Sequence, residues 1–152
     1  MTFFDYLCEK LNDCTMLNTI DEGIKAVRQG KIVIVVDDEN RENEGDFICA
    51  AEFATTEKSE FYGDIWKRVD LYADVKGDFV KKLKLPQMVT DNTDNHETAF
   101  TVSIDYAGTT TGISAEERGM TARHCISEDA KPEDFSQTGT HVSSACKKRM
   151  VC

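Results

Sequence analysis

Residues 37–46 form a dense acidic stretch in which six carboxylates surround one cation, Arg41. The carboxylates belong to Asp37, Asp38, Glu39, Glu42, Glu44 and Asp46. Carboxylates crowded this closely repel one another, so the stretch needs a cation to stabilise it. A divalent metal ion meets that need, because hard cations prefer oxygen ligands. The stretch is therefore a candidate metal site, and the alternative is a solvated acidic loop at the surface.

Two apolar runs flank this stretch and predict the elements that hold it. Residues 31–36 are rich in β-branched side chains, and a second apolar run covers residues 47–51. The pattern predicts a strand, a loop and a strand, with the acidic loop at the open end of the pair. Arg41, Glu42 and Asp46 are then expected to line one pocket at the end of the first strand.

A helix is predicted over residues 20–29, immediately before the first strand. Thr19 can cap it, and Glu22 completes a capping box. Gly30 follows at a position where helices often end. Further helices are predicted at residues 3–14, from Thr55 onward, and at residues 78–84.

An alternating pattern at residues 98–105 predicts a half-buried strand. Phe100, Val102 and Ile104 are expected to face the core, while Ser103 faces away. Together with the helices, this strand predicts an α/β (α+β mixed) fold in a single domain.

A further helix is predicted from Ser114 to about residue 127, with Glu117 as the capping-box partner of Ser114. The polar turn at residues 108–112 before it could offer backbone N–H groups to an anion, and the alternative is an ordinary turn. On the helix, His124 is expected at the surface and Cys125 in packing.

Charge and composition argue against several classes of function. The net charge of -10 and the pI of about 4.7 disfavour a nucleic-acid partner, because phosphate binding needs clustered Lys and Arg. No apolar run is long enough to span a bilayer, and the N-terminus has no basic region typical of a signal peptide. The six cysteines form no C-x-x-C pair, which disfavours a zinc site and suits reduced thiols. We therefore expect a cytoplasmic protein.

The acidic stretch closely resembles the signature of the 3,4-dihydroxy-2-butanone-4-phosphate synthases. That signature reads Asp-Asp-Glu-Asn-Arg-Glu-Asn-Glu-Gly-Asp, followed by an apolar strand and Ala51-Glu52. Two later stretches resemble the same family, namely residues 85–89 and the pair of segments at 98–102 and 109–115 with Arg118. The resemblance covers about residues 19–58 and 76–136.

The resemblance implies a lyase that converts D-ribulose 5-phosphate into 3,4-dihydroxy-2-butanone 4-phosphate and formate in riboflavin biosynthesis. It also implies the fold of that family, a homodimer and a Mg²⁺ (or Mn²⁺) cofactor. It places Arg41, Glu42 and Asp46 against the sugar phosphate, with Glu42 as a metal ligand and with Glu42 and Asp46 as catalytic residues. Glu44 is a further candidate near the metal. The plainer alternatives are that Arg41 only neutralises its neighbours and that Asp46 caps a turn.

The implied reaction begins with removal of a proton next to a carbonyl, and a metal ion can stabilise the resulting enediolate as a Lewis acid. The family's Arg-Gly-His-Thr-Glu motif, which supplies a second metal ligand, and a late catalytic Glu are absent from this sequence. Two hypotheses follow. The chain is a synthase, or it is a non-catalytic truncated remnant that binds metal or sugar phosphate weakly or not at all. We expect weak or absent synthase activity.

Residues 137–152 are predicted to be an aberrant tail after a truncated synthase-like domain at residues 1–136. In one permitted codon set, a one-base shift across residues 138–148 yields Pro-Gly-His-Thr-Phe-Pro-Leu-Arg-Ala-Lys, which resembles the family pattern. A similar shift recovers part of residues 62–71. Side chains read out of frame are not selected to pack. We therefore expect residues 137–152 to be exposed and irregular, and residues 59–71 to pack loosely.

Overall fold

Helices and short strands alternate along the chain, which confirms the predicted mixed α/β fold class. The structure, a computed structural model, describes residues 17–36, 45–66, 71–74, 78–91, 93, 99–137 and 142–145. It divides into two compact units, of which the first reaches Ala50 and the second begins at Ala51. The predicted helix at residues 3–14 lies outside the described residues. Within the described ranges, no helix has the length and apolar character that a membrane span requires.

The first unit begins with helix α1 (Ile20–Arg28), close to the predicted span. Its capping box is present as predicted. The Thr19 hydroxyl oxygen accepts a hydrogen bond from the backbone N–H of Glu22 at 3.3 Å, and the Glu22 carboxylate accepts one from the backbone N–H of Thr19 at 2.9 Å. The bond from the Thr19 backbone is the main reason that the pKa of Glu22 is lowered. After the helix, Gly30 has a φ of 73°, a left-handed conformation that glycine adopts without steric cost.

Strands β1 (Val33–Val36) and β2 (Gly45–Ile48) form an antiparallel pair. Val33 lies opposite Ile48, and Val36 lies opposite Gly45. This arrangement confirms the two predicted strands, although the second begins at Gly45 and not at residue 47. Residues 37–44 between them lie outside the described residues. The two ends of the acidic loop are therefore adjacent, because paired strands lie about 4.8 Å apart.

The described part of the second unit combines helices with two small sheets. Its helices are α2 (Thr56–Trp66), α3 (Asp78–Lys82) and α4 (Ala115–Cys125). Its strands are β3 (Leu71–Asp74), β4 (Ala99–Phe100), β5 (Ile104–Tyr106), β6 (Phe135–Gln137) and β7 (Val142–Ala145). Short 3-10 turns cover Ala51–Phe53 and Pro132–Asp134. In one sheet β7 lies between β3 and β4, and in the other β5 pairs with β6 in antiparallel fashion.

The prediction of a single alternating strand at residues 98–105 is wrong, because the structure has two short strands there. Ile104 is fully buried as expected, but Thr101 is equally buried and Asp105 is only 8% exposed, whereas Phe100 and Val102 are half-buried. The physical reason is that the run contributes to two sheets, since β4 pairs with β7 and β5 pairs with β6. Because β4 and β5 belong to different sheets, the alternation of core-facing side chains in one does not continue into the other.

A cluster of buried apolar side chains forms the core of the second unit. It consists of Leu83, Leu85, Ile104, Cys125, Ala130 and Phe135. These residues come from the segment just after α3, from β5, from the end of α4 and the loop that follows it, and from β6. The cluster therefore joins segments that are distant in sequence. The packing role predicted for Cys125 is confirmed, and burial raises the pKa of its thiol to about 12.

Helix α4 starts at the predicted cap but lacks half of the predicted capping box. The Ser114 hydroxyl oxygen accepts a hydrogen bond from the backbone N–H of Glu117 at 3.2 Å. The Glu117 carboxylate, however, accepts hydrogen bonds from Thr110 in the preceding turn. The helix ends at Cys125, slightly earlier than expected, and the Lys82 ammonium donates to the carbonyl oxygens of residues 127 and 128 just beyond that end.

The start of α2 agrees with the helix predicted from Thr55 onward. The loose packing expected at residues 59–71 is wrong at Ser59, which is 7% exposed, whereas Phe61 is 38% exposed. Helix α2 packs against α4, and the Arg123 guanidinium donates a hydrogen bond to the Ala54 carbonyl just before α2. Contact with a neighbouring helix therefore orders a stretch whose own apolar pattern is weak.

The expectation that residues 137–152 are irregular is wrong for β7. Residues 142–145 pair in parallel with β3 and in antiparallel fashion with β4. Gln137 lies at the end of β6 and is exposed. Residues 138–141 and 146–152 lie outside the described residues. Backbone hydrogen bonding explains the order of β7, because a strand needs only main-chain partners to join a sheet.

Candidate active site

Asp46 lies at the open end of the β1–β2 pair, where the acidic stretch returns to the sheet. It is the second residue of β2 and lies opposite Val35 in the register. Both side chains are exposed, while Gly45 beside Asp46 is buried. This agrees with the geometry of a strand, in which directly opposed residues share a face and successive residues alternate. The Asp46 carboxylate is therefore presented to solvent at the point predicted from sequence.

The other predicted site residues are not placed by the structure. Arg41 and Glu42 lie outside the described residues, as do Glu44 and the remaining acids of residues 37–39. That Arg41, Glu42 and Asp46 share one pocket accordingly stays a prediction. What the structure adds is that both ends of the segment carrying them are fixed, because Val36 and Gly45 pair directly.

The position of Asp46 disfavours the alternative that it caps a turn. A turn cap is normally a residue whose side chain bonds to the backbone one to three residues further along. Asp46 instead lies within a paired strand. An exposed carboxylate on a strand next to a polar loop is suited to accept a proton or to donate an oxygen to a cation.

Within the described ranges, no group of three or more His, Cys, Asp or Glu side chains is close enough to hold a metal ion. Asp46 is the described member of the acidic stretch, and the other five carboxylates lie outside the described residues. Carboxylate oxygens are the donors that Mg²⁺ and Mn²⁺ prefer, so the donor type of the stretch fits such an ion.

The polar turn before α4 is an ordinary turn, stabilised by hydrogen bonds to the Tyr106 carbonyl oxygen and to the Glu117 carboxylate of α4. The backbone N–H and the hydroxyl of Thr109 both donate to the Tyr106 carbonyl oxygen, at 2.9 and 2.7 Å. The N–H and the hydroxyl of Thr110 donate to Glu117 at 2.5 and 2.7 Å. Because these N–H groups are occupied, the alternative of an anion cradle is disfavoured at Thr109 and Thr110.

The carboxyl group of Asp105 lies next to Gly112 of the same turn, and this burial was not predicted from sequence. Asp105 is 8% exposed, and Gly112, with a φ of 72°, passes directly over it. A Cβ atom added to Gly112 would lie 2.6 Å from Oδ1 of Asp105. The alternating pattern placed Asp105 on the exposed face, and no local signal marks it as buried, because its neighbour Gly112 is seven residues further along the chain.

His124 was expected at the helix surface; its side chain is 30% exposed, but its ring also packs against other elements. The ring packs at a tilt against Tyr106 of β5, with centroids 4.0 Å apart, and lies 5.7 Å from the ring of Phe135. Its Nε2 atom lies 3.5 Å from Oδ2 of Asp134. These partners come from two segments that are distant in sequence from each other, which explains why spacing along the helix does not reveal them.

Comparisons with known proteins relate most of the chain to one family. The sequence profile of the 3,4-dihydroxy-2-butanone 4-phosphate synthase family matches residues 21–151. The riboflavin biosynthesis protein RibBA of Bacillus cereus is 47% identical over 124 residues, which cover 82% of this chain and 31% of that protein. The RibBA protein of Synechocystis is 49% identical over 127 residues, covering 82% of this chain and 23% of that protein. The chain thus spans about a third or less of these curated relatives.

Solved structures agree with this assignment. A crystal structure of 3,4-dihydroxy-2-butanone 4-phosphate synthase in complex with two magnesium ions superposes with a TM-score of 0.76 and 36% identity, covering 86% of this chain and 61% of that one. The synthase of Candida albicans gives a TM-score of 0.70 and 35% identity, covering 86% of this chain and 64% of that one. Sequence and fold point to the same relatives, and the chain belongs to the 3,4-dihydroxy-2-butanone 4-phosphate synthase family.

Proposed function

We propose that this chain uses its acidic loop in the synthase reaction, which converts D-ribulose 5-phosphate into 3,4-dihydroxy-2-butanone 4-phosphate and formate. The observation that carries the proposal is the β1–β2 pair, which holds both ends of the signature stretch and exposes Asp46 beside it. The family membership of residues 21–151 supports the same reaction class. The matched part of this chain covers 31% of the Bacillus cereus relative. The activity is therefore proposed from the site in this chain.

The proposed roles follow from the chemistry of each side chain. Arg41 binds the anionic end of the sugar phosphate, because a guanidinium forms paired hydrogen bonds with phosphate oxygens. Glu42 ligates the metal ion and takes part in proton transfer. Asp46 approaches the substrate from β2 and accepts or returns a proton next to the carbonyl. A bound Mg²⁺ or Mn²⁺ would supply Lewis-acid stabilisation of charge on the substrate oxygens.

The setting of this function is also part of the proposal. We propose a cytoplasmic homodimer that uses a small sugar phosphate and neither nucleic acid nor a membrane as a partner. The net charge of -10 supports the exclusion of nucleic acid. The scatter of the six cysteines, which form no C-x-x-C pair, supports a reducing compartment.

We further propose that the synthase-like domain covers residues 1–136 and that residues 137–152 are a tail read out of frame. The support is the family-like sequence that a one-base shift recovers from residues 138–148. Sequencing the gene and its transcript tests this. A frame that stays open without any one-base discrepancy against a longer copy would contradict it.

Formate release from D-ribulose 5-phosphate in the presence of Mg²⁺ tests the activity. We expect at most weak release, which chelation abolishes and which Glu42→Gln and Asp46→Asn reduce by about a hundredfold or more, the usual size for loss of one acid–base group. Glu60→Gln is the matched control, because Glu60 is an exposed carboxylate in α2. Equal activity in all three variants would contradict the assigned roles.

The second hypothesis predicts a different outcome of the same measurement. A non-catalytic remnant would release no formate above the chelated sample. Titration with Mn²⁺, followed by electron paramagnetic resonance, would then show weak binding or none. Binding that Glu42→Gln removes, without formate release, would identify a metal-binding chain that lacks turnover.

A further inference from the structure

Strand β1 (Val33–Val36) has apolar side chains on both of its faces and exposes part of each face. Ile34 is 37% exposed and Val35 is 45% exposed. Because successive side chains of a strand point to opposite faces, these two residues expose both sides of the β1–β2 pair. A continuous run of Val and Ile is typical of a strand whose two faces are both covered. The exposed surface of β1 therefore predicts a further packing partner.

The outer edge of β1 is able to accept another strand. Among the residues that the structure describes, β2 is the only strand that pairs with β1, and the two form a sheet of their own. A sheet of two strands is marginally stable in water, so it needs further strands or packing. Strand β1 contains neither a proline nor a charged residue, and these are the residues that normally protect an exposed edge.

The other elements of the first unit are less suited to this role. Strand β2 contains Gly45, which weakens a strand, and Asp46, whose charge would oppose that of a second copy. Helix α1 has no buried residue, and its Ile20 is 57% exposed, so the helix covers little of the sheet. Among the described elements of this unit, β1 therefore offers the most favourable edge for association.

A second copy of the same chain fits this edge, because β1 is complementary to itself in antiparallel orientation. A two-fold axis perpendicular to the sheet at Ile34 places Ile34 opposite its own copy and Val33 opposite the partner's Val35. Apolar side chains then meet apolar side chains on both faces. We propose that two chains associate through their β1 strands in this register, which joins two sheets of two strands into one sheet of four.

The charges at the two ends of β1 favour this register. Lys31 lies shortly before β1 and is exposed, and Asp37 follows β1 directly in the sequence. The axis at Ile34 places Lys31 opposite the partner's Asp37, so both ends of the interface pair opposite charges. An axis at Val35 would instead place Asp37 opposite an apolar residue. Antiparallel pairing also keeps the two acidic stretches at opposite ends, which limits repulsion between chains that each have a net charge of -10.

This inference rests on the homodimer proposed above and assigns its interface. One pair of short strands buries less surface than a permanent dimer does, so we expect association that is reversible and depends on concentration. The tests use no substrate, and their outcome is therefore independent of synthase activity.

Sedimentation equilibrium of the full chain measures the association. We expect a reversible equilibrium between monomer and dimer. Ile34→Lys brings two ammonium groups together at the axis and should raise the dissociation constant by about tenfold or more. Ile20→Lys adds the same charge to α1 and should change the constant by about twofold or less. A monomer at every concentration would overturn both the homodimer and this interface, whereas equal effects of the two variants would overturn the interface alone.

A charge exchange tests the ends of the interface. Lys31→Glu places two acids opposite each other and should weaken the dimer, and adding Asp37→Lys to the same chain should restore it. Lys25→Glu makes the same change of net charge at an exposed position of α1 and is the control. If the double variant stays as weak as Lys31→Glu, the two residues are not opposed and the proposed register is wrong.

Oxidative cross-linking tests the register directly. In Ile34→Cys the two new thiols face each other across the axis, with Cβ atoms about 4.5–5.5 Å apart, close to the separation in a disulfide. In Val35→Cys they lie on a diagonal at about 7–8 Å, too far apart to be bridged without movement. Peptide mass spectrometry should therefore find a disulfide between two copies of residue 34 and little between two copies of residue 35. Cross-linking that is equal at the two positions, or absent from residue 34, would overturn the proposal.

Discussion

The Glu117 carboxylate accepts two hydrogen bonds from Thr110, one from the backbone N–H at 2.5 Å and one from the hydroxyl at 2.7 Å. These bonds hold the polar turn against the first turn of α4. They are the main cause of a lowered pKa of Glu117, at about 2. The same helix start is capped by the Ser114 hydroxyl, so one turn of helix and the loop before it form a single hydrogen-bonded unit.

This relationship predicts an acid sensitivity of the polar turn. A carboxylate whose pKa is lowered on folding contributes stability above its unfolded value near 4.5, and this contribution is lost as the pH falls towards 2. We expect Glu117→Gln to lower the denaturant midpoint at pH 7 and to make little difference near pH 2. Glu116→Gln, at the exposed neighbouring position, is the control. A Glu117→Gln effect of the same size at both pH values would contradict the prediction.

Replacement of Gly119 of α4 by alanine is predicted not to raise the free energy of unfolding. A Cβ atom there would lie 2.8 Å from the Ala54 carbonyl oxygen, which is backbone and cannot easily move aside. Alanine favours a helix by about 1 kcal/mol over glycine, but the forced displacement costs roughly 1–3 kcal/mol. We therefore expect Gly119→Ala to leave the free energy of unfolding unchanged or to lower it by up to about 2 kcal/mol.

Gly23 provides the matched control for this substitution. It lies in α1, and among the described residues nothing apart from its chain neighbours and the backbone of its own helix lies within 4 Å of a Cβ added there. Gly23→Ala should raise the stability of its unit by about 0.5–1 kcal/mol, because only the helix preference changes. Urea denaturation followed by circular dichroism measures both variants. An equal gain in stability at the two positions would show that α4 and the Ala54 carbonyl are not in close contact.

Ile104 is predicted to be one of the residues on which the core of the second unit depends. Its side chain is fully buried among Leu83, Leu85, Cys125 and Phe135. Truncation leaves a cavity, so Ile104→Ala should lower the free energy of unfolding by about 2–5 kcal/mol. Ile113→Ala removes the same atoms from a side chain that is 59% exposed and should have little effect. A similar decrease in the free energy of unfolding in both variants would show that Ile104 is not a core residue.

Cys125 is predicted to be chemically inert in the folded chain. Burial raises the pKa of its thiol to about 12, so almost no thiolate exists at pH 8, and the sulfur is also shielded from reagents. Alkylation with iodoacetamide, followed by peptide mass spectrometry, should modify Cys125 only after denaturation. Cys49 is half-buried and serves as the internal comparison. Rapid labelling of Cys125 in native buffer would contradict its place in the core.

The sequence predicted those features whose partners lie close together in the chain. The capping box of Thr19 and Glu22 spans three residues, and the acidic stretch is bounded by two apolar runs that pair across it. Such contacts form at little cost in chain entropy, so local residue types are sufficient to specify them. Asp46 was predicted in the acidic loop and lies instead as the second residue of β2, close to the predicted position. Its relation to Arg41 and Glu42 remains a prediction.

Only the tertiary structure decided the contacts between distant segments. Glu117 bonds to Thr110 in preference to the backbone of its own cap, and the His124 ring packs at a tilt against rings from two strands. Asp105 is buried beneath Gly112 although its spacing suggests an exposed face. These outcomes depend on which surfaces meet when the elements pack, and a periodic pattern records which side of an element is apolar without specifying its partner. The sequence by itself thus determined the family, the helix caps and the position of the acidic loop, while packing between α4, β5 and the Pro132–Asp134 turn determined the surroundings of His124 and Asp105.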